Sequence, residues 1–203
     1  MGHTRLAIVD PSNRFADMPF NLKFRTGAEG SEKIIHLAAN GEIYNHMSLR
    51  SQNRTYPFTS AVDSESILAL HTAAKLGRTK AIMSAEDHAK WIGQLDGMYA
   101  FCLWDAELKQ LMLSRDPLGI QPLVRTKVNG SLLFASEAKA LRAHEEHVPQ
   151  LDELALIARL AWEYPLDGTT LLKDVHHVRP GTVEVWELRN GEPTQVGKAN
   201  VER

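Results

Sequence analysis

The chain has 203 residues, 43% hydrophobic and 24% charged, with a formal net charge of -2. That is enough chain to bury a real core, as one large domain or a domain with an appendage. The near-neutral balance, with no basic stripe, excludes an electrostatic case for nucleic acid or an anionic membrane as partner.

Cys102 is the single cysteine, so neither an internal disulfide nor a CxxC metal knuckle can form within the chain. Cysteine usage of this kind suits a reducing, intracellular setting. The first twenty residues hold no apolar run of signal-peptide length, and no stretch approaches a transmembrane span. The expected location is cytoplasmic.

In chain order, "LAIVD" at 6–10 and "KIIHLAAN" at 33–40 read as short strands bounded by turn formers. "DSESILALHTAAKL" at 63–76 puts Ile67, Leu68 and Leu70 on a helical stripe behind Asp63, a residue able to cap it. "SAEDHAKWI" at 84–92 opens with a Ser-x-x-Asp start close to a capping box. "MYAFCLWD" at 98–105, "KQLMLSRD" at 109–116 and "SLLFAS" at 131–136 are nearly continuous apolar runs, expected as strands covered on both faces. "VNGSL" at 128–132 is a hairpin signal. The polar break "AHEEHVPQ" at 143–150 is the best boundary, dividing 1–148 from a closing segment 149–203. In that segment "DELALIARLAWEY" predicts a helix with Leu154, Ile157, Ala158 and Ala161 on its apolar stripe. "VRPGTVEVWELRNGEPTQV" predicts a Pro-Gly turn, an alternating strand and an Asn-Gly turn. The layout is α+β, with sheets covered by helices on their outer faces.

Three features point to chemistry. Asn40-Gly41 is either a tight turn, since both residues tolerate positive φ, or an anion hole built from a side-chain amide and a backbone N–H. Arg5 in "GHTRLAIVD" suits a carboxylate, held by two parallel hydrogen bonds. Asp63 in "FTSAVDSES" is placed to take an ammonium. Together they fit an α-amino acid with a reacting carbonyl. Cys102, mid-strand, is expected to be buried and inert. "HEEH" at 144–147 lacks the HExxH spacing of a zinc site and is expected to be a solvated segment, so no metal is predicted. His176 and His177 point apart and are expected to be structural or idle.

"GHTRLAIVDP", "NGEIYNHMSLR", "FTSAVDSESILAL", "LDGMYAFCLWD", "RDPLGIQPL" and "FASEAKAL" occur in an order and at a spacing that make the chain resemble the glutamine amidotransferase domain of the asparagine synthetase family. This is the class II, N-terminal-nucleophile type. The resemblance covers residues 2–141. It implies an αββα sandwich of two antiparallel sheets with outer helices, truncated at its N-terminus. It implies a pocket for L-glutamine or a similar α-amino acid. Arg5 would hold the α-carboxylate and Asp63 the α-amino group. The backbone of Leu6, Ala7, Ile8 and Val9 would line the pocket. The Asn40 side chain and the Gly41 N–H would form the oxyanion hole, with Glu42 beside the substrate.

The family attacks glutamine with an N-terminal cysteine whose amine serves as base. Met1-Gly2 stands here instead, so the resemblance implies a chain without its nucleophile. That leaves open a fragment or mis-started reading frame of an active enzyme, a pseudoenzyme binding an amino acid or a protein, or a scaffold that binds nothing. Ala61-Val62 replaces the usual Gly-Ser or Gly-Asp before Asp63, and is expected to strain or narrow the pocket. Gln121 stands where the family commonly has a basic residue. ATP and Mg are implied only with a separate synthetase domain, so no cofactor is expected of this chain. A synthetase-domain protein or self-association is the implied protein partner, because a missing strand would expose a sheet edge.

Overall fold

The computed structural model describes residues 1–3, 10, 12–13, 16–25, 32–76, 82–163 and 168–202. Among the described residues nine strands fall into two antiparallel sheets. The larger contains β1 (Phe20–Arg25), β2 (Glu32–Ile43), β3 (Gly97–Asp105), β4 (Gln110–Arg115), β8 (Thr182–Arg189) and β9 (Glu192–Asn200), in the order β1-β2-β3-β4-β8-β9. The smaller contains β5 (Val124–Val128), β6 (Ser131–Ala135) and β7 (His176–His177), ordered β6-β5-β7. The segment after 149 therefore completes both sheets, β8 pairing with β4 and β7 with β5.

Side-chain alternation along the strands sorts residues into two cores. On one face of the large sheet, Ile35, Leu37, Phe101, Leu103, Met112, Val183 and Val185 meet α2 (Glu65–Leu76) and α3 (Ala85–Ile92). On the other face Ala100, Cys102, Leu113 and Trp186 pack against Leu123, Val178, Leu132 and Phe134 from the small-sheet layer. Arg125 of β5 crosses the sandwich to the buried Glu184 of β8, at 2.5 Å from Nε, and its guanidinium lies 5.1 Å from the Trp186 ring centre. A 3-10 helix, Ala138–Ala143, lies outside the small sheet, with Leu141 against Val124 and Val175. Two antiparallel sheets with outer helical segments are the α+β sandwich expected.

Several local expectations are met. Ser84 Oγ accepts from Asp87 N at 3.2 Å while the Asp87 carboxylate accepts from Ser84 N at 3.0 Å, closing the capping box of α3. Asn129 (φ 42°) and Gly130 (φ 77°) make the β5–β6 turn, and Asn190 and Gly191 make the β8–β9 turn. β3 is buried on both faces through its middle.

One of the two readings left open for Asn40-Gly41 is excluded, and two expectations are corrected. Asn40-Gly41 is not a turn: β2 runs on through Ile43, opposite Gly97 of β3. The reason is a close backbone approach. A Cβ on Gly41 (φ 132°) would lie 1.9 Å from the Met98 carbonyl oxygen, and one on Gly97 would lie 2.1 Å from that of Glu42. Asp63 does not cap α2 with its side chain, which turns to Ile43 instead. In α4 (Glu153–Trp162) only Ala155 is buried; Leu154 and Ile157 of the predicted stripe are exposed, and Ala158 is half-buried. The helix α1 (His46–Gln52) was not signalled by the sequence pattern.

Candidate active site

The end of β2 organises the site. Ala39 points into the helix-covered core, so by alternation Asn40 faces the small sheet, like Ala38 before it. Its cross-strand neighbour is Ala100, and Cys102 lies opposite Ala38. Half-buried, Asn40 donates from Nδ2 to Gln121 Oε1 at 2.9 Å. Gly41 and Glu42 are exposed beside it.

Gln121 belongs to the crossover loop between β4 and β5, which lacks regular structure and is held by its own polar groups. The buried Asp116 carboxylate accepts from Leu118 N at 3.1 Å, Ile120 N at 3.0 Å and Gln121 N at 3.0 Å. Arg115 donates to the carbonyls of Gln121 at 2.6 Å, Gly119 at 2.6 Å and Val178 at 3.2 Å. Burial moves the Arg115 pKa down, with the neighbouring Asp116 opposing the shift.

Asp63 meets the same region from the other side. One carboxylate oxygen accepts from Ile43 N at 2.6 Å. The other, Oδ1, has no hydrogen-bond partner among the described residues. The loop leading to Asp63 is anchored by Glu65, which is 1% exposed. Its two oxygens accept from Thr59 N (2.8 Å), Thr59 Oγ1 (3.0 Å), Ser60 N (2.9 Å) and Ser60 Oγ (2.7 Å). Arg50 of α1 donates to the carbonyls of Ser60 and Val62, each at 2.8 Å, and stacks 4.2 Å over the Phe58 ring. Asp10 accepts from Ala61 N at 3.0 Å, tying the chain just after the arginine segment to this loop. Ala61 is exposed and is not among the residues of positive φ, so the strain expected from its Cβ does not arise.

Arg5, Leu6, Ala7, Ile8 and Val9 lie outside the described residues. Of the others, Asn40, Gly41, Glu42 and Asp63 are brought together at one end of β2. The sequence reading missed Gln121 as a partner of Asn40, and Arg50 and Glu65 as the props of the Asp63 loop. Buried charge in a polar run was the available signal: Glu65 sits inside "TSAVDSES", where an unpaired carboxylate would be costly.

Cys102 is buried as expected, 3% exposed, with Sγ 3.4 Å from Met1 Sδ. Burial raises its pKa well above the thiol range, the chain's N-terminal charge opposing weakly. Such a thiol holds its proton and is a poor nucleophile. In "HEEH", His147 is buried, not solvated as expected, while Glu145 and Glu146 are exposed. No cluster of three metal-capable side chains occurs among the described residues. His176 and His177 form the short β7 and pair with β5. No helix among the described residues is long and apolar enough to cross a membrane.

A family model described as "Glutamine amidotransferase domain" matches residues 1–195. Asparagine synthetase [glutamine-hydrolyzing] 3 of Arabidopsis thaliana is 36% identical over 143 residues, 70% of this chain and 21% of that protein. Asparagine synthetase [glutamine-hydrolyzing] 1 of Bacillus subtilis is 30% identical over 183 residues, 89% of this chain and 25% of that protein. The chain thus spans about a fifth to a quarter of the length of these relatives. In structure it is similar to glutamine phosphoribosylpyrophosphate amidotransferase of B. subtilis, with a TM-score of 0.53 and 18% identity, over 89% of this chain and 31% of that one. That likeness is one of fold.

Proposed function

The chain belongs to the glutamine amidotransferase domain family, and on that premise we propose that it is the glutamine-binding part of an asparagine-synthetase-type amidotransferase. In this reading Arg5 pairs with the α-carboxylate of L-glutamine, and the free oxygen of Asp63 takes its α-ammonium. The backbone of Leu6, Ala7, Ile8 and Val9 lines the pocket, and Glu42 borders it. The Asn40 amide and the Gly41 N–H face the side-chain carbonyl. Donors fixed before the reaction stabilise the charge on a tetrahedral intermediate at little reorganisation cost. The observation that carries the reading is the 2.6 Å contact from Ile43 N to Asp63, which supports one shared site for Asp63 and the Asn40–Glu42 edge.

Hydrolysis to glutamate and ammonia also needs a nucleophile, and the buried Cys102 is unsuited to it. Residues 1–203 are therefore proposed to bind the amino acid without turning it over. A thiol acting here would come from outside these residues. No cofactor enters this half-reaction. ATP, Mg and an ammonia acceptor would belong to a synthetase domain, joined covalently or recruited. Segment 149–203 is proposed to close the domain whose core is 1–148, and the cytoplasm is proposed as its place of work.

Calorimetry with L-glutamine tests this. The unmutated chain is expected to bind, and Arg5→Ala to weaken binding by about 1.5–3 kcal/mol, the worth of a charge-assisted hydrogen-bonded pair. Glutamine binding indifferent to both Arg5→Ala and Asp63→Ala would place the pocket elsewhere. Ammonia release is expected to stay at background and to be unaffected by Cys102→Ala. Release abolished by that substitution would make Cys102 the nucleophile after all.

A further inference from the structure

We infer that Gln121 is a positioning residue for the Asn40 amide, fixing which way its donor points. This deepens the proposed function, since it rests on reading Asn40 as an oxyanion donor. A side-chain amide offers a carbonyl on one side and an NH2 group on the other, and a half-turn about χ2 exchanges them. An oxyanion needs the NH2 side. On the face of β2 that looks toward the small sheet, the hydrogen-bond partner of Asn40 among the described residues is Gln121 Oε1, at 2.9 Å. Accepting one Nδ2 hydrogen there leaves the second for a substrate oxygen and opposes the exchange.

The loop's own construction separates this role from a structural one. Its backbone is gripped on both sides of Gln121, the N–H by Asp116 at 3.0 Å and the carbonyl by Arg115 at 2.6 Å. The turn before it is closed by the same two side chains. None of these bonds uses the Gln121 side chain, whose hydrogen bond among the described residues goes to Asn40. The side chain can thus be changed while the loop stays in place. The loop is also the crossover from the large sheet to the small one, so the contact locks the end of β2 to the junction of the two layers.

The test uses the 15N-labelled chain and the NMR signals of the Asn40 side-chain amide, assigned by their loss in Asn40→Ala. The Asn40 amide is expected to exchange with solvent about tenfold more slowly than that of the exposed Asn190, the factor one ordinary hydrogen bond supplies. Gln121→Met should remove the protection, and Gln121→Glu, which keeps an acceptor, should retain it, all three chains melting alike. L-glutamine should shift the Asn40 signals in the unmutated chain and bind about tenfold more weakly to Gln121→Met. Equal protection in the unmutated and Gln121→Met chains overturns the inference. Glutamine binding with Asn40 unmoved, while Gln121→Met still removes protection, overturns the oxyanion reading and upholds the positioning. If Gln121→Met does not fold, Gln121→Lys, which can only donate, decides: retained protection of the Asn40 NH2 overturns the inference, and its loss supports it.

Discussion

The helix α2 on the large sheet and the helix after the polar break show the same kind of apolar periodicity in the sequence, yet they end in opposite settings, and α3, signalled by its cap, shares the setting of α2. In α2 every residue from Glu65 to His71 is buried, and in α3 Ile92 is 0% and Trp91 2% exposed. In α4, Leu154 is 79%, Ile157 62%, Leu160 77% and Trp162 62% exposed. Both kinds of helix are well begun, α3 by its capping box and α4 by Asp152 accepting from Ala155 N at 2.9 Å. Periodicity and caps therefore specify that a helix forms and which face is apolar. Whether that face is covered depends on what packs against it: α2 and α3 share a core with the large sheet, and the apolar stripe of α4 is left exposed.

The sealed side also holds polar groups. His71 Nε2 and Lys75 Nζ both lie 2.7 Å from Asp105 Oδ2. His88 contacts Gln110 Oε1 at 3.2 Å and accepts from Trp91 Nε1 at 3.2 Å. Burial would raise the Asp105 carboxyl, but hydrogen bonds from His71 and Lys75 outweigh it and hold the group ionised. Burial lowers His71 and takes His88 from 6.5 down to about 4, the neighbouring His71 adding to the effect.

The sharpest way to break the comparison is truncation on the sealed side. Ile92→Ala is expected to cost about 2–5 kcal/mol in chemical denaturation, through lost burial and the cavity left behind. Acid should come next. The lowered histidines bind protons more readily when unfolded, so stability is complete above about pH 6.5 and falls as pH drops toward about 4. For His88 alone the loss is on the order of 3 kcal/mol. His88→Gln should flatten that slope, as thermal midpoints across the interval would reveal. Ser84→Ala, which opens the capping box of α3, should cost about 1 kcal/mol. At the other end, Leu160→Ala on α4 should change the stability of the 203-residue chain by no more than about 0.5 kcal/mol. A loss comparable to that of Ile92→Ala would show that the α4 face is covered in solution.

Local chemistry made much of this readable. β2, β3, β4 and β6, helices α2 and α3 and both Asn-Gly hairpins follow from patterns a few residues long. The division into six strands and three does not, because it depends on β4 finding β8 across more than sixty residues. The turn alternative at Asn40-Gly41 fails for the same reason: Gly41 is held in a strand by the close backbone of Met98 and Tyr99 on the neighbour. Asp63 looked like a cap because its partner, the Ile43 N–H, is twenty residues away. Of the candidate site, Asn40 and Asp63 were legible as residue types suited to an amino acid, and their convergence was supplied by the family resemblance. Gln121 was quoted in the sequence as a departure from the family, but its bond to Asn40 spans 81 positions and carries no local signature.

Cys102 lies at the centre of the layer between the sheets, 3% exposed, and the sequence holds no other thiol. A disulfide reagent can reach it only when its cover opens, whether the small-sheet layer or Met1, whose Sδ lies 3.4 Å from Sγ, so each labelled molecule records one opening. With reagent in excess and reclosing fast, the labelling rate divided by that of a free thiol equals the fraction of time the thiol is uncovered. The protein thus carries an internal clock for the opening of this layer, and glutamine, by clamping the end of β2 to the crossover loop, should slow the part of it that comes from the two sheets.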